Sequence, residues 1–394
     1  MTILGTRSTE SLKKQFIGGE IGRQLRQQKG LGTISVCILL GILGAGLWPF
    51  NPYLRNEVSW LVGRNGLRFG DYGMIQASRP LHFADSHGEV SCSLEVWLQP
   101  AVDKDQNTFL AFYTPENPLR FELQQYLDHL LVLRNIRGQQ DHSRISTIGI
   151  AYIFRRNKKV FITVTSGPRE TAVYIDGRMV KSSPRLGLTK EDLAGQLIFG
   201  TSPVKSAGWR GNLLGLALYD QELTGTQVAQ NYQGWIQNGR PPGFATEGKV
   251  ALYLFEEHTG SVVHNSARWG PALSIPEHFK ILQKPVLARP REKDFVRLSY
   301  WKDVLLNIGG FIPFGFFVCA YLSSSHTRRA ALAAILVGAV VSLTIEILQI
   351  YIPTRDSDTT DLVANTSGAI LGVLLYRSTI ARAFLASLHR IRYA

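Results

Sequence analysis

Apolar positions in this chain follow two periods in separate regions. Unbroken apolar runs occupy the two ends: Leu31 to about Phe50, then Val304–Leu322, Ala330–Ile352 and the shorter Leu362–Tyr376. A membrane-spanning helix needs about 20 mostly apolar residues, and the first three runs have that length. The fourth reaches it by beginning a turn earlier, at Asp358, with its polar residues facing protein. Between the runs the pattern alternates. Val90, Cys92, Leu94, Val96 and Leu98, then Val160, Ile162 and Val164, then Leu214, Leu216 and Leu218 repeat every second residue, the period of a half-buried strand. Asp176-Gly177 after Thr171–Ile175 is a two-residue hairpin turn, since both central positions need positive φ. Thr224 stands as the N-cap of a short helix through Tyr232. The predicted fold is mixed: a four-helix transmembrane bundle with an all-β jelly-roll sandwich inserted after its first helix.

The predicted organisation follows from these changes of period. Residues 1–30 are a basic cytoplasmic segment and 31–50 the first transmembrane helix. The sandwich occupies 58–236 on the extracytoplasmic side. Residues 237–300 are a linker, broken by Gly239, Pro241, Pro242 and Gly243, with an extra strand at Ala251–Glu256 that either completes the sheet or begins a stalk. Helices two to four occupy 301–376, and 377–394 form a cytoplasmic tail. A cleaved signal peptide is the rival reading of the first run, with Gly44-Ala45-Gly46 as a weak cleavage site.

Charge orients the spans. The formal net charge is +13, and much of it flanks the apolar runs. Arg7, Lys13, Lys14, Arg23, Arg26 and Lys29 precede the first. Arg328 and Arg329 lie between the second and third. Arg377, Arg382, Arg390 and Arg392 follow the fourth. Four crossings put all three clusters on one side, which the positive-inside rule makes cytoplasmic. Multi-pass insertion in the bacterial cytoplasmic membrane is the expected location. No nucleic-acid-reading motif accompanies the basic balance, and nucleic acid is not an expected partner. The three cysteines, Cys37, Cys92 and Cys319, are too far apart for a thiolate metal site. No metal and no cofactor is expected, apart from calcium by analogy with some sandwiches; no EF-hand-like acidic loop is present.

The membrane runs carry the candidate chemistry. Asp303, Asn307, Phe311 and Gly315 recur every fourth residue in the second. Gly338, Ser342, Glu346 and Gln349 form a similar stripe in the third. Asp358, Asp361, Asn365, Gly368 and Gly372 do so in the fourth. Such spacing gathers each set on one helix face. Glu346 lies about 9 Å below the outer end of its helix, at 1.5 Å per residue. Three readings stay open: interhelical hydrogen bonding with a Gly368-x-x-x-Gly372 packing surface, an outward pocket for a polar headgroup, and acid–base work by Glu346 or Asp361. In the sandwich, Arg155, Arg156, Lys158 and Lys159 around Asn157 form a candidate anionic-partner patch, with a solvated hairpin tip as the bland alternative.

Two resemblances rest on these residues. Ser93-Leu94-Glu95-Val96-Trp97-Leu98-Gln99-Pro100, the Val160–Val180 hairpin and Gly211–Tyr219 with the helix after it resemble laminin-G/concanavalin-A-like domains. The resemblance implies a sandwich and says little about function. Asn307-Ile-Gly-Gly-Phe311-Ile-Pro313-Phe-Gly315, then Glu346-x-x-Gln349, then Arg355-x-x-Asp358-x-x-Asp361-x-x-x-Asn365-x-x-Gly368-x-x-x-Gly372, with Trp48-Pro49-Phe50 closing helix one, resemble the VanZ-like family. Thr359 departs from that family's usual apolar residue, and the sandwich stands where the family has a short outer loop. The resemblance implies an envelope role with glycopeptide antibiotic resistance as its theme, not a reaction. The expected partners are membrane lipid, a lipid-linked or cell-wall glycan, or an envelope protein. An enzyme acting on lipid-linked precursors and a plain anchor for the sandwich are the two rival functions.

Overall fold

A computed structural model describes residues 6–83, 91–137, 143–242, 249–267, 270–290 and 295–378. The chain divides into two compact units, Tyr53–Lys284 and a second made of Met1–Pro52 with Pro285–Ala394.

The second unit contains helices α1 (Thr6–Leu47), α3 (Leu298–Ser324), α4 (Ala330–Gln349) and α5 (Thr359–Arg377), which pack on one another. Among the described residues, three stretches are long and apolar enough to cross a membrane: Gln27–Leu47, Leu298–Ser324 and Ala330–Gln349. The expected bundle of four spans is thus met by three helices on this measure. The fourth, α5, is diluted by Asp361, Asn365, Thr366 and Ser367 in its first turns. Asp358 does not enter α5. It caps the helix, its carboxylate accepting from the Thr360 N–H at 2.7 Å, as a short polar N-cap side chain does.

The Tyr53–Lys284 unit is a sandwich of two eight-stranded antiparallel sheets. Its strands are β1 (Val58–Trp60), β2 (Leu67–Phe69), β3 (Ile75–Ala77), β4 (Cys92–Pro100), β5 (Thr108–Tyr113), β6 (Phe121–Tyr126), β7 (His129–Arg137), β8 (Ser143–Ile150), β9 (Val160–Ser166), β10 (Thr171–Ile175), β11 (Arg178–Ser183), β12 (Gln196–Phe199), β13 (Gly211–Tyr219), β14 (Lys249–Tyr253), β15 (Val262–Val263) and β16 (Leu273–Ser274). One sheet runs β1-β2-β13-β4-β9-β10-β11, and β14 also pairs with β13; the other runs β15-β16-β3-β12-β5-β6-β7-β8. Strand β13 shares one edge between two partners, β2 along Gly211–Leu213 and β14 along Leu216–Tyr219. The Asp176-Gly177 turn has φ of +50° and +78°, as the hairpin chemistry requires.

Strand β4 is buried on both faces rather than one. Leu94, Val96 and Leu98 enter the core between the sheets. Glu95 and Trp97 point the other way, beneath helix α2 (Gly225–Asn238), whose N-cap is Thr224. Glu95 is fully buried and accepts from the Tyr219 hydroxyl at 2.9 Å, the Asn231 amide at 2.8 Å and the Trp235 indole N–H at 3.0 Å. A buried carboxylate is tolerated when donors saturate it. Burial, and then the Glu95 charge, push the Tyr219 phenol well above its ordinary pKa. Val90, expected in the same strand, lies outside the described residues.

The stretch read as a linker supplies three strands. β14 pairs with β13, and β15 and β16 extend the other sheet next to β3. Tyr253, Phe255 and Phe279 from this stretch are buried to within 1%. The late strand therefore completes the sheet and does not start a stalk. Expressed alone, residues 53–284 are expected to melt in one cooperative transition by circular dichroism. Residues 58–239 lack β14 to β16 and expose the core they cover, so no cooperative melt is expected. Equal melting of the two fragments would show the late strands to be dispensable.

Candidate functional site

Helices α3 and α5 approach closely enough for backbone contact. A Cβ at Gly368 would lie 2.3 Å from the Ile308 carbonyl oxygen, and one at Gly372 would lie 2.1 Å from that of Ile312. Gly315 faces Ala369 in the same way, at 2.2 Å. In lipid, apolar side chains gain little by meeting one another, so small residues that let backbones touch carry the association. Pro313 lies within α3, between the contact residues Ile312 and Gly315, and Phe311 packs against Phe314.

This contact brings the polar stripes together just before the close crossing. The Asn307 amide donates to Asp361 Oδ1 at 2.7 Å, joining α3 to α5. The Asn365 amide donates to Ser342 Oγ at 2.9 Å, joining α5 to α4. Glu346 is 1% exposed. Its Oε2 accepts from the backbone N–H of Asp358 at 2.8 Å, which fixes the start of α5 against α4. Gln349 donates to the Gly46 carbonyl at 2.8 Å. Arg355 donates through Nε to the Trp48 carbonyl at 2.8 Å and through Nη2 to the Ala45 and Trp48 carbonyls. These carbonyls belong to the last turn of α1 and the residue after it, where a cation complements the helix dipole. A short strap closes the same end. Ala288 pairs with the turn before α5, its N–H donating to Ser357 O at 2.8 Å and its carbonyl accepting from Thr359 N at 3.0 Å.

Together these groups enclose a cavity of about 640 Å³, within the range of ligand sites. Asn307, Glu346, Gln349, Arg355, Asp358, Asp361 and Asn365 all line it, as does Phe311. Pro313, Gly315, Gly368 and Gly372 do not; the three glycines form the close contact between α3 and α5. Sequence reasoning missed the contribution of α1. Ile42, Ala45 and Gly46 form part of the wall, and a Cβ at Gly46 would come within 3.0 Å of Ile345. The run Gly44-Ala45-Gly46 held that signal, as a small-residue packing surface. Tyr300, Asp303 and Thr360 also contribute; the Tyr300 and Thr360 hydroxyls lie 3.3 Å apart. No group of His, Cys, Asp or Glu suited to a metal ion occurs among the described residues.

The basic turn of the sandwich has a more ordinary geometry. Arg155, Arg156 and Lys158 are exposed around Asn157, whose φ is +58°. The Arg156 backbone N–H donates to the Asp103 carboxylate. Lys159 lays its ammonium 5.0 Å from the centre of the Trp97 ring, a cation–π contact that engages it within the domain.

Residues 250–382 match the family model VanZ/LLP1. Residues 70–229 match that of the concanavalin A-like lectin/glucanases superfamily. No curated protein matches the chain. Among solved structures, a SAP-like pentraxin from Limulus polyphemus is 14% identical with a TM-score of 0.36, over 57% of this chain and 95% of that one. The receptor binding domain of botulinum neurotoxin D is 15% identical with a TM-score of 0.34. The binding domain of Paraclostridial Mosquitocidal Protein 1 is 12% identical with a TM-score of 0.36. Each of the last two alignments spans 47% of this chain and 47% of the other. The VanZ match begins inside the sandwich unit, at β14, and continues through α3, α4 and α5. The chain thus combines a VanZ-like domain of apolar, membrane-type helices with a concanavalin A-like sandwich.

Proposed function

We propose that the helices form a membrane receptor whose cavity takes the polar headgroup of a lipid or lipid-linked glycan from the outer leaflet, and that the sandwich binds carbohydrate outside the membrane. The observation that carries this reading is the lining of one cavity by polar side chains from three helices and the loop between two of them. Magnitudes favour a pocket over mere hydrogen-bond glue. A carboxylate in a membrane helix costs up to about 2.5–3.5 kcal/mol on insertion scales, the figure for the helix centre. An interhelical hydrogen bond returns about 0.6 kcal/mol on average. Asp361 and Glu346 are therefore poor glue, and a polar or aqueous cavity is the setting in which such groups are kept. The lectin-like family of the sandwich supports the carbohydrate role.

Gly310 provides the test. It lines the cavity, and a Cβ there meets nothing within 4 Å, so Gly310→Leu fills the space without a clash at its root. Gly309 is equally open and does not line the cavity. Mass spectrometry of gently purified protein is expected to find a bound amphiphile in the parent chain and in Gly309→Leu. Gly310→Leu is expected to lose it while melting at a similar temperature. Retention in Gly310→Leu contradicts the reading.

The basic clusters in the N-terminal half of α1, between α3 and α4, and from the end of α5 onward support a four-crossing topology with both termini cytoplasmic and the sandwich extracytoplasmic. Helix α5 is then the fourth crossing, its polar turns covered by α3 and α4. A reporter active only outside the cytoplasm is expected to give signal when fused at Gly239 and none at Ser325. The reverse pattern rejects this topology.

A further inference from the structure

We infer that the cavity selects a headgroup bearing an ammonium group, in preference to a purely anionic one. This inference rests on the headgroup reading above and adds the charge of the ligand. Five carboxylates line the cavity, from Asp303, Glu346, Asp356, Asp358 and Asp361, against the single guanidinium of Arg355. That guanidinium is already committed, since Nε and Nη2 donate to the carbonyls that end α1. The wall therefore presents an excess of negative charge, and an anionic phosphate or carboxylate entering it meets repulsion from several sides.

A second observation points the same way without reference to charge. Asn365 lines the cavity and is 5% exposed. Its amide nitrogen is spent on Ser342, while its Oδ1 is buried and accepts no hydrogen bond from the described residues. A buried acceptor left unmade is costly, and a ligand donor removes that cost. Beside the hydroxyls and amides of its wall, the site thus offers five carboxylates and an amide oxygen as acceptors. An ammonium group is the complement of such a wall, with three donors, a positive charge and no acceptor. A bare metal ion fits less well, because no group of three or more carboxylates, histidines or cysteines is spaced for one among the described residues. The volume of about 640 Å³ also leaves room for the atoms that carry the ammonium group.

The test uses the full chain in nanodiscs of equal phosphatidylethanolamine and phosphatidylglycerol, with retained lipid read by native mass spectrometry. The parent protein is expected to enrich phosphatidylethanolamine by about tenfold or more, a difference of about 1.4 kcal/mol. Asp361→Asn keeps the side chain's shape and is expected to reduce the enrichment severalfold. Asp303→Asn changes an exposed residue on α3, so it tests the charge effect even if Asp361→Asn fails to fold. Soluble phosphoethanolamine identifies the source: competition means the headgroup chemistry suffices, and no competition means the whole lipid is required. Enrichment of phosphatidylglycerol, or an ethanolamine preference unchanged in both variants, overturns the inference. A cavity that binds either lipid equally, and loses both in Gly310→Leu, leaves the headgroup reading standing and removes only the ammonium preference. A chain whose bound lipid is indifferent to Gly310→Leu removes the headgroup reading itself.

Discussion

The close crossing of α3 and α5 is the constraint on which the membrane-type unit depends. Gly368 and Gly372 put the backbone of α5 against the carbonyls of Ile308 and Ile312. There is no space at that contact for even a methyl group. With no hydrophobic gain between helices in lipid, this backbone-to-backbone packing holds the pair. It also sets the register. Asn307 stands immediately before Ile308, Asp361 stands about two turns before Gly368, and the two meet at 2.7 Å. Had the helices been separated by larger side chains, the amide and the carboxylate would face each other across a gap.

The remaining polar groups follow from that register and from the turn between α4 and α5. Glu346 holds the start of α5 through the Asp358 N–H. Arg355 and Gln349 reach across to the end of α1. Each contact ties a different pair of elements, so the cavity wall is braced from several directions. The ties do not saturate the wall. The Asn365 oxygen, without a donor among the described residues, and the excess of carboxylates remain as features that packing alone does not explain. In the sandwich the same physics appears in the opposite outcome. Glu95 is as buried as Glu346, yet it receives three side-chain donors and serves to seat α2 on the sheet.

Much of this architecture was legible from periodicity. The four-residue stripes in the apolar runs placed Asn307, Glu346, Asp361 and Asn365 each on the polar face of its own helix, and all four line the cavity. The Asp176-Gly177 hairpin and the Thr224 cap were equally local, since each is set by its own backbone chemistry. What sequence spacing did not carry was long-range pairing. The place of Lys249–Tyr253 beside β13 depends on an edge left open by β2, and no local pattern announces an open edge. Strand β4 looked half-buried because its outward residues are polar or amphipathic; Glu95 and Trp97 are buried by a helix more than a hundred residues later. Helix α1 hid its share of the cavity for a related reason. Small residues such as Ala45 and Gly46 mark a packing surface only when a partner is known.

The central claim is that the polar faces of three helices converge on one cavity, and disulfide crosslinking in native membranes tests it most directly. Asn307→Cys with Asp361→Cys, and Ser342→Cys with Asn365→Cys, replace side chains in direct hydrogen-bond contact. Both pairs are expected to link rapidly under mild oxidation, in a background lacking Cys37, Cys92 and Cys319. Leu343→Cys and Leu348→Cys, on the exposed side of α4, are expected to link poorly with Asn365→Cys. Equal linking by the off-stripe pairs, or none by the on-stripe pairs, would contradict the convergence and with it the cavity.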